Sequence, residues 1–197
     1  MMLFRMARLL LIVLVATALT ACGTSPSRFY RLDSAATPNS APSVQTVVMV
    51  GPVSVPPAVD RPQFVVQVAP NRVEVEEFDR WAAPLDDSIA RTVAGDLSVL
   101  LATPNVTTAP LADLNPAYMV TINVQRFESV KGEAALVDAV WAVRSTAGGK
   151  TRSGRTIARE TVQGEGFDAL AAAHSRAIAK LSSDIAAAIR TEASSSM

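Results

Sequence analysis

A single α+β domain is what the sequence predicts: a mixed, mostly antiparallel sheet of about six strands with two amphipathic helices packed on one face. Three observations carry that reading. Residues 84–101 and 167–190 repeat apolar side chains at helical spacing. The stretches between them alternate apolar and polar residues or run through β-branched ones, as strands do. The order is strands, helix, strands, helix, and neither helix can bury its stripe alone, so both must cover the sheet.

Taken in order, Arg28-Phe29-Tyr30-Arg31-Leu32 alternates like a strand, and residues 34–43, rich in Ala, Pro, Ser, Thr and Asn, read as a loop. Residues 46–50 form a β-branched and apolar run ended by Gly51-Pro52, suited to a buried strand. In Val53-Ser54-Val55-Pro56-Pro57-Ala58-Val59-Asp60-Arg61-Pro62 the prolines lack a backbone donor and fix φ, which excludes central sheet and helix and predicts a stiff extended connector. Residues 63–68 make a further strand. Val73 and Val75 alternate with Glu74 and Glu76 in the next, with Asn71 at a hairpin turn between the two. Pro84 and then Asp86 and Asp87 at the positive end of the dipole open the first helix. Its stripe is Ile89, Val93, Leu97, Leu100 and Leu101, and Thr103-Pro104-Asn105 stops it.

After a short strand at 106–108, Tyr118, Val120, Ile122 and Val124 share one face of a long strand and Thr121, Asn123 and Gln125 the other. Residues 129–133 turn the chain. Residues 134–143 are apolar on both faces but for Asp138, which places them centrally in the sheet. Gly148-Gly149 marks a loop, 155–163 alternates weakly, and Gly164-Glu165-Gly166 breaks that strand. The last helix carries Leu170, Ile178, Leu181, Ile185 and Ile189 with alanines between them. Residues 191–197 are expected to be a disordered tail.

The N-terminus sets the address. Arg5 and Arg8 precede an apolar run, residues 9–19, and small residues follow up to Leu19-Thr20-Ala21-Cys22. That is a secretory signal, and its apolar run falls short of the roughly 20 residues needed to span a bilayer. Leu-Thr-Ala-Cys resembles the bacterial lipobox, in which Cys22 is acylated and becomes the new N-terminus. Residues 1–21 are then a cleaved signal peptide, 22–27 the lipidated N-terminus and a short tether, and 28–190 the folded domain. Each buried methylene contributes about 0.8 kcal/mol and a single chain holds only marginally, so two or three acyl chains on one cysteine, palmitate among them, make a lasting anchor. Gly23 stands where an aspartate would, by resemblance to lipoprotein sorting rules, favour the inner membrane, so the expected location is the outer membrane, facing the periplasm.

Composition narrows the function. The chain holds 18 basic and 18 acidic residues, and loss of Arg5 and Arg8 with the signal leaves 16 against 18. Such a balance does not provide a polybasic surface, and no nucleic-acid partner is expected. Cys22 is the only cysteine, so lipidation leaves no thiol for a disulfide, a zinc cluster or a nucleophile, and no cofactor is expected beyond the acyl chains. Gly149-Lys150-Thr151 resembles the end of a phosphate-binding loop, but Arg144 stands where that motif needs its first glycine. His174, the only histidine, falls on the apolar stripe of the last helix and reads as a core residue. A rival reading is an exported hydrolase built on unobvious residues, such as Ser88 or Ser175 with His174. Glu74 and Glu76 read as a solvated strand face. No catalytic and no metal-binding residues are assigned.

Two stretches admit a second reading. Lys150, Arg152, Arg155 and Arg159 collect positive charge on a hairpin and its strand, either as a protected edge or as a docking patch. The proline segment is either a connector packed on its own domain or an extended partner-binding segment.

Several stretches together resemble one family, the auxiliary lipoproteins of ABC-type transport systems related to paraquat-inducible protein C (PqiC). They are Arg28-Phe29-Tyr30-Arg31-Leu32, Val50-Gly51-Pro52-Val53-Ser54-Val55-Pro56 with Asp60-Arg61-Pro62-Gln63, Arg80-Trp81-Ala82-Ala83-Pro84-Leu85-Asp86, Arg126-Phe127-Glu128, and Leu181-Ser182-Ser183-Asp184-Ile185. The resemblance implies a non-enzymatic periplasmic subunit. Its partners would be an ATPase, a permease and a substrate-binding protein of the mammalian-cell-entry (MCE) type, in a system that moves lipids between membranes and maintains envelope integrity. It also implies self-association, in rings. Pro56, Pro57, Arg61, Arg80 and Trp81 are the residues expected to meet partners or other copies. The alternative is an outer-membrane structural or assembly lipoprotein with no transport system.

Overall fold

The computed structural model describes residues 26–110 and 115–195. The signal peptide and Cys22 therefore lie outside the described residues, as do residues 196 and 197. Eight strands, β1 (Arg28–Tyr30), β2 (Val48–Ser54), β3 (Gln63–Ala69), β4 (Arg72–Trp81), β5 (Val106–Thr107), β6 (Tyr118–Val130), β7 (Ala134–Ser145) and β8 (Thr151–Thr161), form one mixed sheet. Helices α1 (Leu85–Leu101) and α2 (Gly166–Ser195) lie against each other on it, α1 over β2 and α2 over β7 and β8. The fold class is the one the sequence predicts. The strand count is higher because β1 and β5, three and two residues long, also join the sheet.

β6 is the axis. On one side it pairs with β7 along its length, and β7 continues to the edge strand β8, all antiparallel. On the other side the sheet forks. β2 runs parallel to the first half of β6, from Val48 opposite Tyr118 to Ser54 opposite Asn123, and carries β5 on its far side. β3 runs parallel to the end of β6, with Val66 opposite Ser129, and carries the antiparallel β4 and then β1. A bulge between Val124 and Arg126 shifts the alternation of β6. Tyr118, Val120, Ile122 and Val124 face the helices before it, Phe127 and Ser129 after it.

The helices close the core with the side chains their periodicity names. Ile89, Val93, Leu97 and Leu101 of α1, and Leu170, Ile178, Leu181, Ile185 and Ile189 of α2, are buried. α1 starts after Pro84 in an extended conformation, without a side-chain cap, with Asp86 and Asp87 in its first turn. α2 runs through Thr191–Ser195, which the sequence reading assigned to a disordered tail. Polar composition misled that reading. Glu192 is buried and accepts from Arg152 of β8 at 3.0 Å, and the Ser194 and Ser195 hydroxyls donate to carbonyls one turn back.

The proline segment also departs from expectation. Val53 and Ser54 finish β2, and Pro56 to Asp60 make a compact turn, with the amides of Val59 and Asp60 donating to the Pro56 carbonyl at 3.0 and 3.2 Å. Pro57 follows that carbonyl directly, and its fixed φ suits the second position of a turn better than an extended strut.

Candidate interaction surface

The N-terminal strand is clamped to the sheet by charge. Arg28 donates from Nε and Nη2 to the two carboxylate oxygens of Asp79 at 2.8 Å each, and the Tyr30 hydroxyl donates to Oδ1 at 2.7 Å. Burial pulls the Asp79 carboxyl up, but the bonds from Arg28 and Tyr30 outweigh it and hold the group below the usual carboxylate range. Burial and the same carboxylate push the Tyr30 phenol up to about 12. Above Tyr30 lies an aromatic cluster. Trp81 stacks on Phe64 at 4.0 Å and meets Phe127 edge-on, while Phe167 meets Phe64 at 5.1 Å.

Trp81 is 5% exposed, so its indole belongs to this core, as an aromatic just before a helix commonly does. The other four residues expected at partner contacts lie nearer the surface. Pro56 and Arg61 line a groove, Pro57 is exposed beside it, and Arg80 donates from Nε to the Glu77 carbonyl at 2.8 Å.

His174 is fully buried in the same cluster, its ring stacked on Phe127 at 4.0 Å with an interplanar angle of 6°. Its Nε2 lies 2.8 Å from Oγ of Ser129 on β6. Ser88 and Ser175 do not partner it: Ser175 donates to the Ala171 carbonyl and accepts from the Asp33 amide, and Ser88 is buried at the start of α1. Burial pushes the imidazole down to about 3. The folded state therefore binds its proton more weakly than the unfolded chain, whose histidine titrates near 6.5. Stability is full above about pH 6.5 and falls below it by about 1.4 kcal/mol per pH unit until the folded imidazole titrates. Between pH 6.5 and 5 the carboxylates contribute little, so His174→Asn is expected to remove about 2 kcal/mol of pH dependence there. Urea melts of both proteins across that window check it; equal slopes would place the proton-linked group elsewhere.

The basic run resolves into pairs. Arg155 donates two bonds to Asp138 at 2.7 and 2.8 Å, Arg152 reaches Glu192, and Arg159 pairs with Glu133. Of the four, Lys150 alone makes no ion pair among the described residues. This is the protected-edge reading on β8, and the charge needed for a docking patch is largely spent within the chain. The bonds from Arg155 hold the Asp138 carboxyl below its ordinary range, against the upward pull of its burial.

The sheet face away from the helices carries what sequence reading missed. A groove of about 440 Å³ runs between the Pro56 turn and the β3–β4 hairpin, floored by Val59, Val65, Val73 and Val75, with Arg61 and Arg72 among its lining residues. Val73 and Val75 are 59% and 44% exposed. Their alternation with glutamates was legible; that the apolar side of β4 would stand outside the core was not, because the bulge between Gln63 and Phe64 puts Glu74 and Glu76 on the helix side. Among the described residues, no helix is long and apolar enough to cross a membrane, and no group of three or more His, Cys, Asp or Glu could hold a metal.

The fold is shared with known structures. A crystal structure of an uncharacterized protein is 21% identical with a TM-score of 0.69 over 84% of this chain and 99% of that one. Protein XCC0632 from Xanthomonas campestris, of the DUF330 family, is 21% identical with a TM-score of 0.69 over 86% and 100%. The PelC dodecamer from Paraburkholderia phytofirmans is more distant, 18% identical with a TM-score of 0.43 over 74% and 93%. No curated protein matches the sequence. The model of a family described as the ABC-type transport auxiliary lipoprotein component matches residues 30–186, from the Tyr30 clamp nearly to the end of α2. With so much of its length matched, the chain belongs to the ABC-type transport auxiliary lipoprotein components.

Proposed function

We propose that this chain is a non-enzymatic, lipid-anchored subunit of an ABC/MCE-type system that moves lipid between membranes, held by acyl chains on Cys22 at the periplasmic side of the outer membrane and assembled as a ring. The observation that carries the proposal is the family match across residues 30–186. The chemistry agrees with it: the sole histidine is sealed in the core with a depressed pKa, and the conspicuous charges are consumed in structural pairs. Pro56, Pro57, Arg61 and Arg80 supply the partner-facing surface.

Purification of the full-length protein from detergent-solubilised envelopes, read by mass spectrometry, tests the assignment. The expected result is co-recovery of an MCE-domain protein or its permease, with Cys22→Ala shifting the protein from the membrane to the soluble fraction. Recovery of the protein alone, or with outer-membrane assembly proteins only, favours the structural lipoprotein instead. Chemical crosslinking of the same sample reads the ring.

A further inference from the structure

The outer edge of β4 is open. β3 pairs along one side of β4, and β1 pairs with the other side only at Asp79, Arg80 and Trp81. Among the described residues nothing pairs with the outer edge over residues 72–78, about seven residues of extended backbone. Its side chains sort by face. Val73 and Val75 stand opposite Gln67 and Val65 on the helix-free face, where they floor the groove. Glu74 and Glu76 stand opposite Val66 and Phe64 on the helix side. Glu76 accepts from Lys131 at 2.8 Å, whereas Glu74 is exposed and makes no ion pair among the described residues.

We infer that this edge is a docking site for an extended segment of a partner protein, apolar on one face and carrying lysine or arginine on the other, which adds to the sheet beside β4. Backbone hydrogen bonds to residues 72–78 supply affinity, apolar residues at every second position extend the floor made by Val73 and Val75, and a basic residue at an alternate position meets the exposed Glu74, beside the Glu76–Lys131 pair.

Two other occupants fit less well. A second copy of β4 would set Glu74 and Glu76 against their own counterparts. The edge of β8 presents arginines already neutralised by Asp138 and Glu133. An acyl chain would stay half-wet in a groove where Val73 and Val75 are about half exposed, and it would leave the edge amides unused. The two edges differ in sign: β8 carries arginines, while residues 72–78 carry Glu74, Glu76 and Glu77 against the single Arg72 and hold no proline.

This inference deepens the subunit reading and rests on it for the existence of a protein partner. Its experiment reads the edge alone, so that failure here and failure of co-purification are separate results. The probe is a fluorescent peptide alternating valine with lysine over about ten residues, with a valine–glutamate peptide as control. It is added to the full-length protein in detergent, and binding is read by anisotropy and by amide hydrogen exchange. Expected are binding of the valine–lysine peptide, slowed exchange confined to residues 72–78 and the facing strand, and at least about tenfold weaker binding of the control. Val75→Asp should weaken binding by at least about tenfold at unchanged melting temperature, and Glu74→Lys should reverse the preference between the peptides. Absence of binding, indifference to the peptide's charge, or protection elsewhere would overturn the proposal. So would protection of 72–78 that grows with protein concentration without peptide, the mark of a second copy, or displacement of the peptide by oleate, the mark of an acyl site.

Discussion

Asp96→Ala is expected to lower the unfolding free energy by about 4 kcal/mol, an effect large against the 5–15 kcal/mol that holds a typical domain together. Asp96 lies on the inner face of α1 with no exposed surface. Its Oδ1 accepts from the Ser34 hydroxyl at 2.7 Å and from the Ala35 and Ala36 amides at 3.0 Å each, and its Oδ2 accepts from Ser182 of α2 at 2.9 Å. One carboxylate thus joins the chain after β1, the first helix and the last. Alanine leaves two backbone donors with no acceptor, each worth about 1–3 kcal/mol when unsatisfied, and opens a void between the helices. Ser182 suffers less, since its single hydroxyl hydrogen can turn to the Ile178 carbonyl, 2.9 Å away. Asparagine keeps Oδ1 for the loop, and its amide can donate to the Ser182 oxygen, so Asp96→Asn should cost only about 1 kcal/mol. Urea denaturation of the three proteins checks the ranking. If asparagine proves as costly as alanine, the negative charge rather than the number of acceptors is what matters at this site.

Nothing in the local sequence announced that role. Asp96 sits one place before Leu97 on a stripe whose apolar members are plain, but its partners come from 60 and more residues away in the chain. A separation of 45 residues likewise hid the Ser129 partner of His174, although the helical spacing of His174 from Leu170 and Ile178 correctly placed it in the core. Elements with a clear period were legible: both helices, the inward set of β6, and the central position of β7 around Asp138. The fork was not, because a strand's alternation says which faces differ and not which neighbour it takes; β2 and β3 both run parallel to β6, and only their registers divide them. The charges of residues 150–159 read as a cluster because their acidic partners, Glu133, Asp138 and Glu192, are spread over sixty residues and meet them only across the sheet and the end of α2.

Gly154→Ala should cost about 3 kcal/mol, although Gly154 has no backbone conformation that demands glycine: its φ lies outside the left-handed region. The reason is its cross-strand partner. Gly154 stands opposite Trp141 in the β7–β8 ladder, and the indole lies flat over the strand, so that a Cβ on residue 154 would come within 2.4 Å of Cζ2 and 2.8 Å of Cε2. Contacts that short do not occur, and the ring would have to move. It is not free to do so cheaply. Trp141 Nε1 donates to Thr156 Oγ1 at 3.1 Å, and Thr156 donates in turn to Asp184 on α2, so displacing the indole breaks a link between β7, β8 and the last helix. A double-mutant cycle isolates the contact. In a Trp141→Val background the space above residue 154 is open, and Gly154→Ala should be neutral or stabilising by about 0.5 kcal/mol, because alanine loses less backbone entropy on folding than glycine. The expected coupling energy is then at least 2 kcal/mol, read by denaturation and accompanied by a red shift of tryptophan emission in the single Gly154→Ala variant. An equal penalty in both backgrounds would mean that the strand itself, rather than the ring lying on it, requires glycine at this position.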